Sequence, residues 1–597
     1  MLWETNTGNG AKPVCGLAVG NPRQQHQLQI MQPRTIRWLI LLVQPWLLTA
    51  FAHKIVHVSV NTTKRLGPLT AINRFFGCDE PNFAYYPDGH ALLSELGSLG
   101  PAQTYFRTHN LLTTGNGSTV GVPALKWGST NAYTEDADGN PVYNWTIVDR
   151  IFDSFLSASV KPYVQVGFMP LALSSHPHPY FFNFTPTSPY DVIYTGWSST
   201  PTSYEKWEEL VYQWTKHNVE KYGQAEVESW YWEVWNWNGT RAEFLVLHDH
   251  AIAGVRRALP TARVGGCEVA GGAADGYLAA FLDHSLRGQN HATGAAGTPL
   301  DFVSFHTKGA PLWINTTGTD GYVQMNLSTQ LRQIDDAFGV VAGYPELRET
   351  PIIMGEFDPD GCAACQTPQY GYRNGLLYPS YTVATFVRAL DLADRRGVNL
   401  QGALTWAFEY EETELFDETT YFDGFRVLAT QGVDKPVLNA HRMLGMMTGE
   451  RVEAGSDGQV LLDDVLGGGI GGQTDVGVLA SGDEERVYIL VWHYHDNDTS
   501  FEDAQIELNI QGLASRTSAN LGHFCVDEEH SDSYAAWLAM GSPMEPTEEE
   551  YGRLIAAGKL AMLEPSSKIV TDVIGSSNIS FSLPIRALSL IVVPFSV

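Results

Sequence analysis

The sequence predicts an α/β protein, a (β/α)8 TIM barrel followed by a C-terminal β-sandwich, and three observations carry that prediction. Between residues 70 and 445 one rhythm repeats: a short β-rich apolar run, a polar loop, then a segment of helical period. That alternation makes a parallel sheet with crossover helices. Eight runs can be placed, near Asn73–Gly77, Tyr105–His109, Tyr163–Val166, Trp230–Asn236, Arg263–Gly266, Phe302–His306, Ile352–Gly355 and Leu404–Phe408. Eight is the number a closed barrel needs. After about residue 446 the texture changes to short alternating strands such as Val487–Trp492 and Ile579–Leu583, with glycine-rich breaks at Gly467–Gly472, which reads as a sandwich.

Taken in order, residues 1–30 carry no apolar pattern and are expected to be a disordered leader or a stretch ahead of a true start at Met31. Residues 31–52 read as a signal peptide: Arg34 and Arg37, an apolar run from Trp38 to Leu48 too short to span a bilayer comfortably, then Ala50-Phe51-Ala52. Residues 53–445 form the expected barrel and 446–597 the sandwich, to which Lys54–Val60, alternating in period two, could add a strand. Trp145–Ser157 and Tyr204–Tyr222 are expected helices, with apolar residues at three- and four-residue steps.

A formal net charge of −29 sets up a field that repels phosphodiesters and anionic membrane surfaces, so nucleic-acid binding and stable membrane insertion are not expected. The 16 Trp and 26 Tyr suit either an aromatic barrel core or the stacking of sugar rings. Asn-x-Ser/Thr sequons at Asn61, Asn116, Asn144, Asn183, Asn315, Asn326, Asn497 and Asn578 support a secreted, extracellular glycoprotein. A ninth, at Asn238, falls beside the expected active site, where a glycan would crowd the cleft. Cys362 and Cys365 form a lone CxxC with no second pair for zinc, so a local disulfide is the expectation. No metal and no cofactor is expected, and His176 and His178 are read as loop residues.

Barrel chemistry sits at the C-terminal ends of the strands. Those ends carry Asp79 and Glu80, Arg107 and His109, Glu233 and Asn236, His306 and Lys308, Glu356, and Trp406 with Glu409. Glu356 closes the buried run Pro351-Ile352-Ile353-Met354-Gly355-Glu356, and a carboxylate there can attack an anomeric carbon. Arg107 and His109, two apart on one strand face, can hold such a carboxylate ionised.

Asn73-Arg74-Phe75-Phe76-Gly77-Cys78-Asp79-Glu80-Pro81-Asn82, Tyr105-Phe106-Arg107-Thr108-His109, Lys161–Pro170 and Trp232-Glu233-Val234-Trp235-Asn236 resemble glycoside hydrolase family 39, the β-xylosidase and α-L-iduronidase family. The resemblance continues through Asp527–Trp537 and Met540-Gly541-Ser542-Pro543 and covers about residues 55 to 597. It implies a carbohydrate substrate and a retaining double displacement, with a nucleophile matching Glu356 and a general acid/base at the end of the fourth strand. There the family reads Asn-Glu-Pro and this chain reads Asn236-Trp237-Asn238. Asn236, which would hold a sugar 2-hydroxyl, is present. Trp237 occupies the acid/base position, and an indole has no titratable proton to give.

Three ways around that loss are open. Another carboxylate among Glu233, Glu268 and Glu409 substitutes, a substrate carboxylate supplies the proton, or the protein is a carbohydrate-binding pseudoenzyme. Phe305-His306-Thr307-Lys308-Gly309-Ala310 resembles the iduronidase version of the sixth strand, and Lys308 could anchor a uronate as a point charge.

Overall fold

The computed structural model describes residues 55–116, 128–183, 192–234, 239–315, 321–362, 367–408, 421–422, 427–515, 518–563 and 568–595. Eight parallel strands close into a barrel: Phe75–Cys78, Thr104–Thr108, Val160–Val166, Tyr231–Val234, Arg263–Val269, Phe302–Lys308, Pro351–Asp358 and Asn399–Phe408. Each expected run overlaps one of them. The fifth extends beyond the expected Arg263–Gly266 to Val269, which brings Glu268 onto the strand.

Helices lie between the strands because the sequence gives them one apolar stripe and defined ends. Thr146–Ser157 buries Val148, Ile151, Phe152 and Phe155, the three- and four-residue spacing of a single face. Tyr204–Tyr222 starts where the Ser203 side chain accepts from the Lys206 amide and stops at Gly223, whose φ of 89° few other residues adopt. Arg241–Ala258 opens with a capping box, in which Thr240 accepts from the Glu243 amide and Glu243 accepts from the Thr240 amide. The Thr of the Asn238 sequon is thus committed to a helix N-terminus. Asn238 itself lies outside the described residues.

Inside the barrel, period-two alternation stacks two layers of opposite character. Phe75, Tyr105, Tyr163, Tyr231, Phe302, Ile353 and Leu404, one from each of seven strands, form a buried apolar plug together with Trp406. Phe75 and Tyr105 stack at 5.2 Å, and Tyr231 meets Phe302 edge-on at 5.1 Å. Two residues further along the same strands come Gly77, Arg107, Gln165, Glu233 and Ser304. Much of the aromatic surplus is therefore packing: Trp207, Trp214, Trp230, Trp232, Trp406 and Trp492 are all fully buried. Gly77 is required in this layer, since a Cβ there would stand 2.8 Å from both the Arg107 carbonyl and the Trp406 ring.

The remaining strands make a mostly antiparallel nine-stranded sheet, in the order Ala561–Met562, Gly522–Val526, Leu588–Pro594, Arg486–Tyr494, Asp475–Gly482, Glu450–Ser456, Ile55–Pro68, Ala504–Gln511 and Ser577–Leu583. Strand Arg486–Tyr494 shows how it joins the barrel. Val487, Ile489 and Val491 point into the sheet's own core, while Tyr488, Leu490, Trp492 and Tyr494 pack into the core shared with the barrel helices. At that seam Arg388, from helix Leu377–Arg396, donates to Asp475 at 2.8 Å, and the Trp492 indole donates to the other oxygen of Asp475, also at 2.8 Å. No helix among the described residues is long and apolar enough to cross a membrane.

Candidate active site

Arg107, on the second strand and fully buried, is the hub of the upper layer. Its Nε donates to Glu233, its Nη2 donates to Glu268 at 2.9 Å, and its Nη1 reaches Glu356 at 3.4 Å. One guanidinium therefore faces three carboxyl groups from the fourth, fifth and seventh strands.

Two irregularities in the barrel bring this about. Cys267 pairs with Ser304 and Val269 with Phe305, so Glu268 is an extra residue between them, and its φ is 56°. On the seventh strand Met354 pairs with Phe305 and Glu356 with His306, which leaves Gly355 as the extra residue. A bulge bends the strand and re-aims the side chain that follows. Simple alternation from the inward-facing Ile353 would send Glu356 outward, and the bulge at Gly355 turns it to the mouth. The two bulges touch: a Cβ at Gly355 would overlap the Glu268 carboxylate, so only glycine fits there.

Glu356 is 14% exposed, the open end of an otherwise sealed cluster. Lys308 Nζ lies 3.0 Å from its Oε2, His306 Nδ1 3.6 Å from the same atom, and His109 Nε2 3.6 Å from Oε1. Burial pushes its acidity down, yet the facing groups His306, Lys308, Arg107 and His109 outweigh burial and hold the carboxyl well below the usual range. Burial also lowers His306, to about 4, so at neutral pH it is an uncharged imidazole. The permanent charges that keep Glu356 ionised are then Lys308 and Arg107. Lys308 is itself held by Asp358, whose other oxygen accepts from the Trp406 amide at 3.1 Å.

His109 is fixed from behind by Asp79, 2.7 Å from its Nδ1. Trp406, expected as a sugar contact, is only 1% exposed; its indole donates to Asp79 at 3.3 Å and its ring meets His109 edge-on at 5.1 Å. Its visible role is to hold the His109–Asp79 pair.

Glu233 differs from Glu356 in every respect but residue type. Expected at the strand tip, it is completely buried in the layer below, its Oε2 accepting from the Tyr163 hydroxyl at 2.7 Å and from Ser304 at 3.3 Å. Burial first, and the neighbouring charge of Glu268 second, raise its carboxyl well above the usual range. Glu268 is equally buried and shares a hydrogen bond with His306 Nε2.

Of the expected site residues, the fold thus gathers Arg107, His109, His306, Lys308 and Trp406 around Glu356, with Glu233 sealed in the layer below. Asn236, Trp237, Glu409 and Cys365 lie outside the described residues. Tyr163, Ser304, Gly355 and Asp358 were not singled out in the sequence. Period two from Arg107 and Glu233 would have found the first two, since Tyr163 and Ser304 share their inward face. Among the sequons, Asn116, Asn144, Asn315 and Asn578 are exposed, while Asn61, Asn326 and Asn497 are half-buried.

Comparison with known proteins agrees with this geometry. The model of glycosyl hydrolases family 39 matches residues 124–570. A β-xylosidase of Caldicellulosiruptor saccharolyticus is 24% identical over 470 residues, covering 76% of this chain and 84% of its own. An α-L-iduronidase of Mus musculus is 25% identical over 451 residues, covering 69% of this chain and 63% of its own. The crystal structure of the GH39 enzyme from Xanthomonas axonopodis pv. citri superposes with a TM-score of 0.68 at 20% identity, covering 91% of this chain and 98% of that one. A monomeric β-xylosidase from Caulobacter crescentus gives 0.67 at 20% identity, covering 91% and 99%. With the family model matching most of its length and the barrel, sheet and carboxylate cluster in place, the chain belongs to glycosyl hydrolases family 39 and is a glycoside hydrolase.

Proposed function

We propose that this protein is a secreted retaining exo-glycosidase acting on plant or microbial polysaccharides or oligosaccharides, with a xyloside, arabinoside or uronide as substrate and Glu356 as nucleophile. The observation that carries the reading is the setting of Glu356: at the mouth, with Lys308, Arg107, His109 and His306 converging on it. A carboxylate so held is poised to attack an anomeric carbon, and the Lys308 and Arg107 charges spare it protonation in mildly acidic surroundings. His109 and His306 are placed to contact the sugar, and Asn236 its 2-hydroxyl. Lys308 offers a uronate carboxylate a point charge. Secretion rests on the signal-like segment 31–52 and the sequons, four of which lie on the exposed surface.

The test uses aryl glycosides with activated leaving groups, which depart without an acid. The expected result is a burst of phenol that scales with enzyme, absent in Glu356→Gln, and a glycosyl adduct on Glu356 by mass spectrometry. No turnover and no adduct across xylosides, arabinosides and uronides would overturn the reading in favour of a carbohydrate-binding pseudoenzyme, which Trp237 would favour if it stands at the acid/base position as the family resemblance implies.

A further inference from the structure

A second cluster of chemically able side chains lies on the outer wall of the barrel, among the helices. Asp249 comes from the middle of helix Arg241–Ala258, His284 from the last turn of helix Tyr277–Arg287, and His291 from the segment that leads on to strand Phe302–Lys308. One ligand atom from each lies within 4.8 Å of the other two. No spacing motif announces the set, since the three residues sit on separate elements. We propose that Asp249, His284 and His291 bind a zinc ion, which fastens segment 288–298 to the two helices.

Donor chemistry selects the ion. Two imidazoles and one carboxylate suit zinc and its transition-metal neighbours, whereas calcium and magnesium take oxygen ligands. Three protein ligands leave the fourth corner of a tetrahedron for water. The base of the site is already assembled: His284 Nε2 lies 3.1 and 2.9 Å from the two oxygens of Asp249, and the His284 and His291 rings stack 14° from parallel with centroids 5.5 Å apart. A Cβ at Gly288 would overlap His284 Nδ1, so glycine there keeps the ring turned with Nε2 toward Asp249. Ligands bonded to one zinc at about 2.0–2.2 Å stand no more than about 4 Å apart, so the trio has to close by about an ångström at most. His291 can make that movement, because it is exposed while Asp249 and His284 are held in the wall. The same exposure gives the ion a way in.

Two surrounding features fit an ion better than a plain Asp–His pair. The first is the set of groups that orient the carboxylate. The Thr298 hydroxyl donates to Asp249 Oδ1 and the His291 amide to Oδ2 at 2.8 Å, Asn290 Nδ2 donates to Thr298 at 3.0 Å, and Asn290 Oδ1 accepts from the amides of Ala292 and Thr293. The whole segment is folded around one carboxylate, in the way that outer hydrogen bonds aim a metal ligand. The second is His248. It is fully buried, neither of its ring nitrogens has a hydrogen-bond partner among the described residues, and its Nδ1 faces Asp249 Oδ1 at 4.0 Å. A buried imidazole carries at least one N–H, and leaving that donor unpaired is costly. A zinc ion on His284 Nε2 takes the place of the proton now shared with Asp249, which releases acceptor capacity on Asp249 for His248.

Position gives the ion its role. Segment 288–298 runs from the end of a barrel helix to the start of strand Phe302–Lys308, hence toward the end of the barrel opposite the mouth, where side chains set stability and not catalysis. The segment holds no helix or strand of its own, and the ion would tie it to two helices at once.

The experiment needs no substrate, so its outcome is independent of the glycosidase reading. The full chain, made without a histidine tag, is stripped with EDTA, desalted and titrated calorimetrically with zinc chloride, beside His291→Ala and, as a control on a surface histidine pair elsewhere, His176→Ala. Expected is one zinc per wild-type chain with micromolar or tighter affinity, not displaced by magnesium or calcium. His291→Ala should bind at least about 100-fold more weakly, and His176→Ala should bind as the wild type does. At zinc 100-fold above Kd the wild-type melting temperature should rise by about 2 °C, and that rise should be missing in His291→Ala. Cobalt in place of zinc should give the strong visible bands of four-coordinate Co²⁺ in the wild type alone. Because His291 is exposed, its variant should melt with the wild type in EDTA; if it does not, His284→Gln is titrated in its place, with the same loss expected. Absence of zinc binding in the wild type would overturn the inference, as would a zinc site that survives both His291→Ala and His284→Gln or is lost in His176→Ala.

Discussion

Two buried arginines in this molecule face opposite situations. Arg388, at the seam between barrel and sheet, meets one carboxylate, Asp475, whose Oδ1 accepts from Arg388 and the Val460 amide and whose Oδ2 accepts from the Trp492 indole. Charge is matched and every oxygen has a donor. Arg107, buried beneath the barrel mouth, meets three carboxyl groups, one of them reaching the mouth and one with an oxygen that no donor among the described residues reaches. The first network is closed and fixes a shape; in the second, three carboxyl groups share one guanidinium, and the outermost of them, Glu356, reaches the mouth with Lys308 beside it.

That contrast can be broken at either end. The largest effect is expected at the open end: Glu356→Gln should lower kcat/KM on activated aryl glycosides by about 10⁴-fold or more while the melting temperature moves little. Arg107→Met comes next. It strands Glu233 and Glu268 without their cation, and urea titration should show a loss of about 3–5 kcal/mol together with loss of turnover. Arg388→Met should cost on the order of 3 kcal/mol in the same titration because Asp475 is left buried and unpaired, yet the folded fraction should keep the wild-type kcat. If kcat falls with it, the two networks are not separable.

The smallest effect sharpens the electrostatic half of the comparison. The carboxyl of Glu356 lies below its ordinary value because facing charges outweigh burial. Lys308→Met removes one permanent charge and lets burial reassert itself, so the acid limb of kcat/KM should move to higher pH by about one unit. A depressed carboxyl also contributes stability that is present above the unfolded-state value and lost as pH falls through the folded one, so the same variant should melt lower than wild type at neutral pH, with the difference shrinking as pH falls below the unfolded-state value. An unmoved acid limb would assign the depression to Arg107 alone.

The fold was readable in the sequence because a barrel writes itself in apolar runs, and each of the eight expected runs overlaps a barrel strand. Glu356, Arg107, His109, His306 and Lys308 were readable for the same reason, since strand ends are where barrel chemistry lies. What sequence reasoning missed depends on departures from period two. The bulges at Glu268 and Gly355 have no compositional signature, yet they decide which carboxylates meet. Depth was also hidden: Glu233 and Glu356 both end apolar runs, and only the packing of Tyr163 and Ser304 shows that one is sealed in and the other is not.

The sheet has a consequence for biosynthesis. Strand Ile55–Pro68 precedes the barrel in the chain, but its neighbours are Glu450–Ser456 and Ala504–Gln511, which follow it. As the chain leaves the ribosome this segment has no partner until the whole barrel has been made, and its valines Val56, Val58 and Val60 must stay unpaired that long. Such long-range closure is slow and exposes an unprotected edge. A gene cut at residue 446 would orphan it permanently, so the barrel and sheet are expected to survive expression only as one piece.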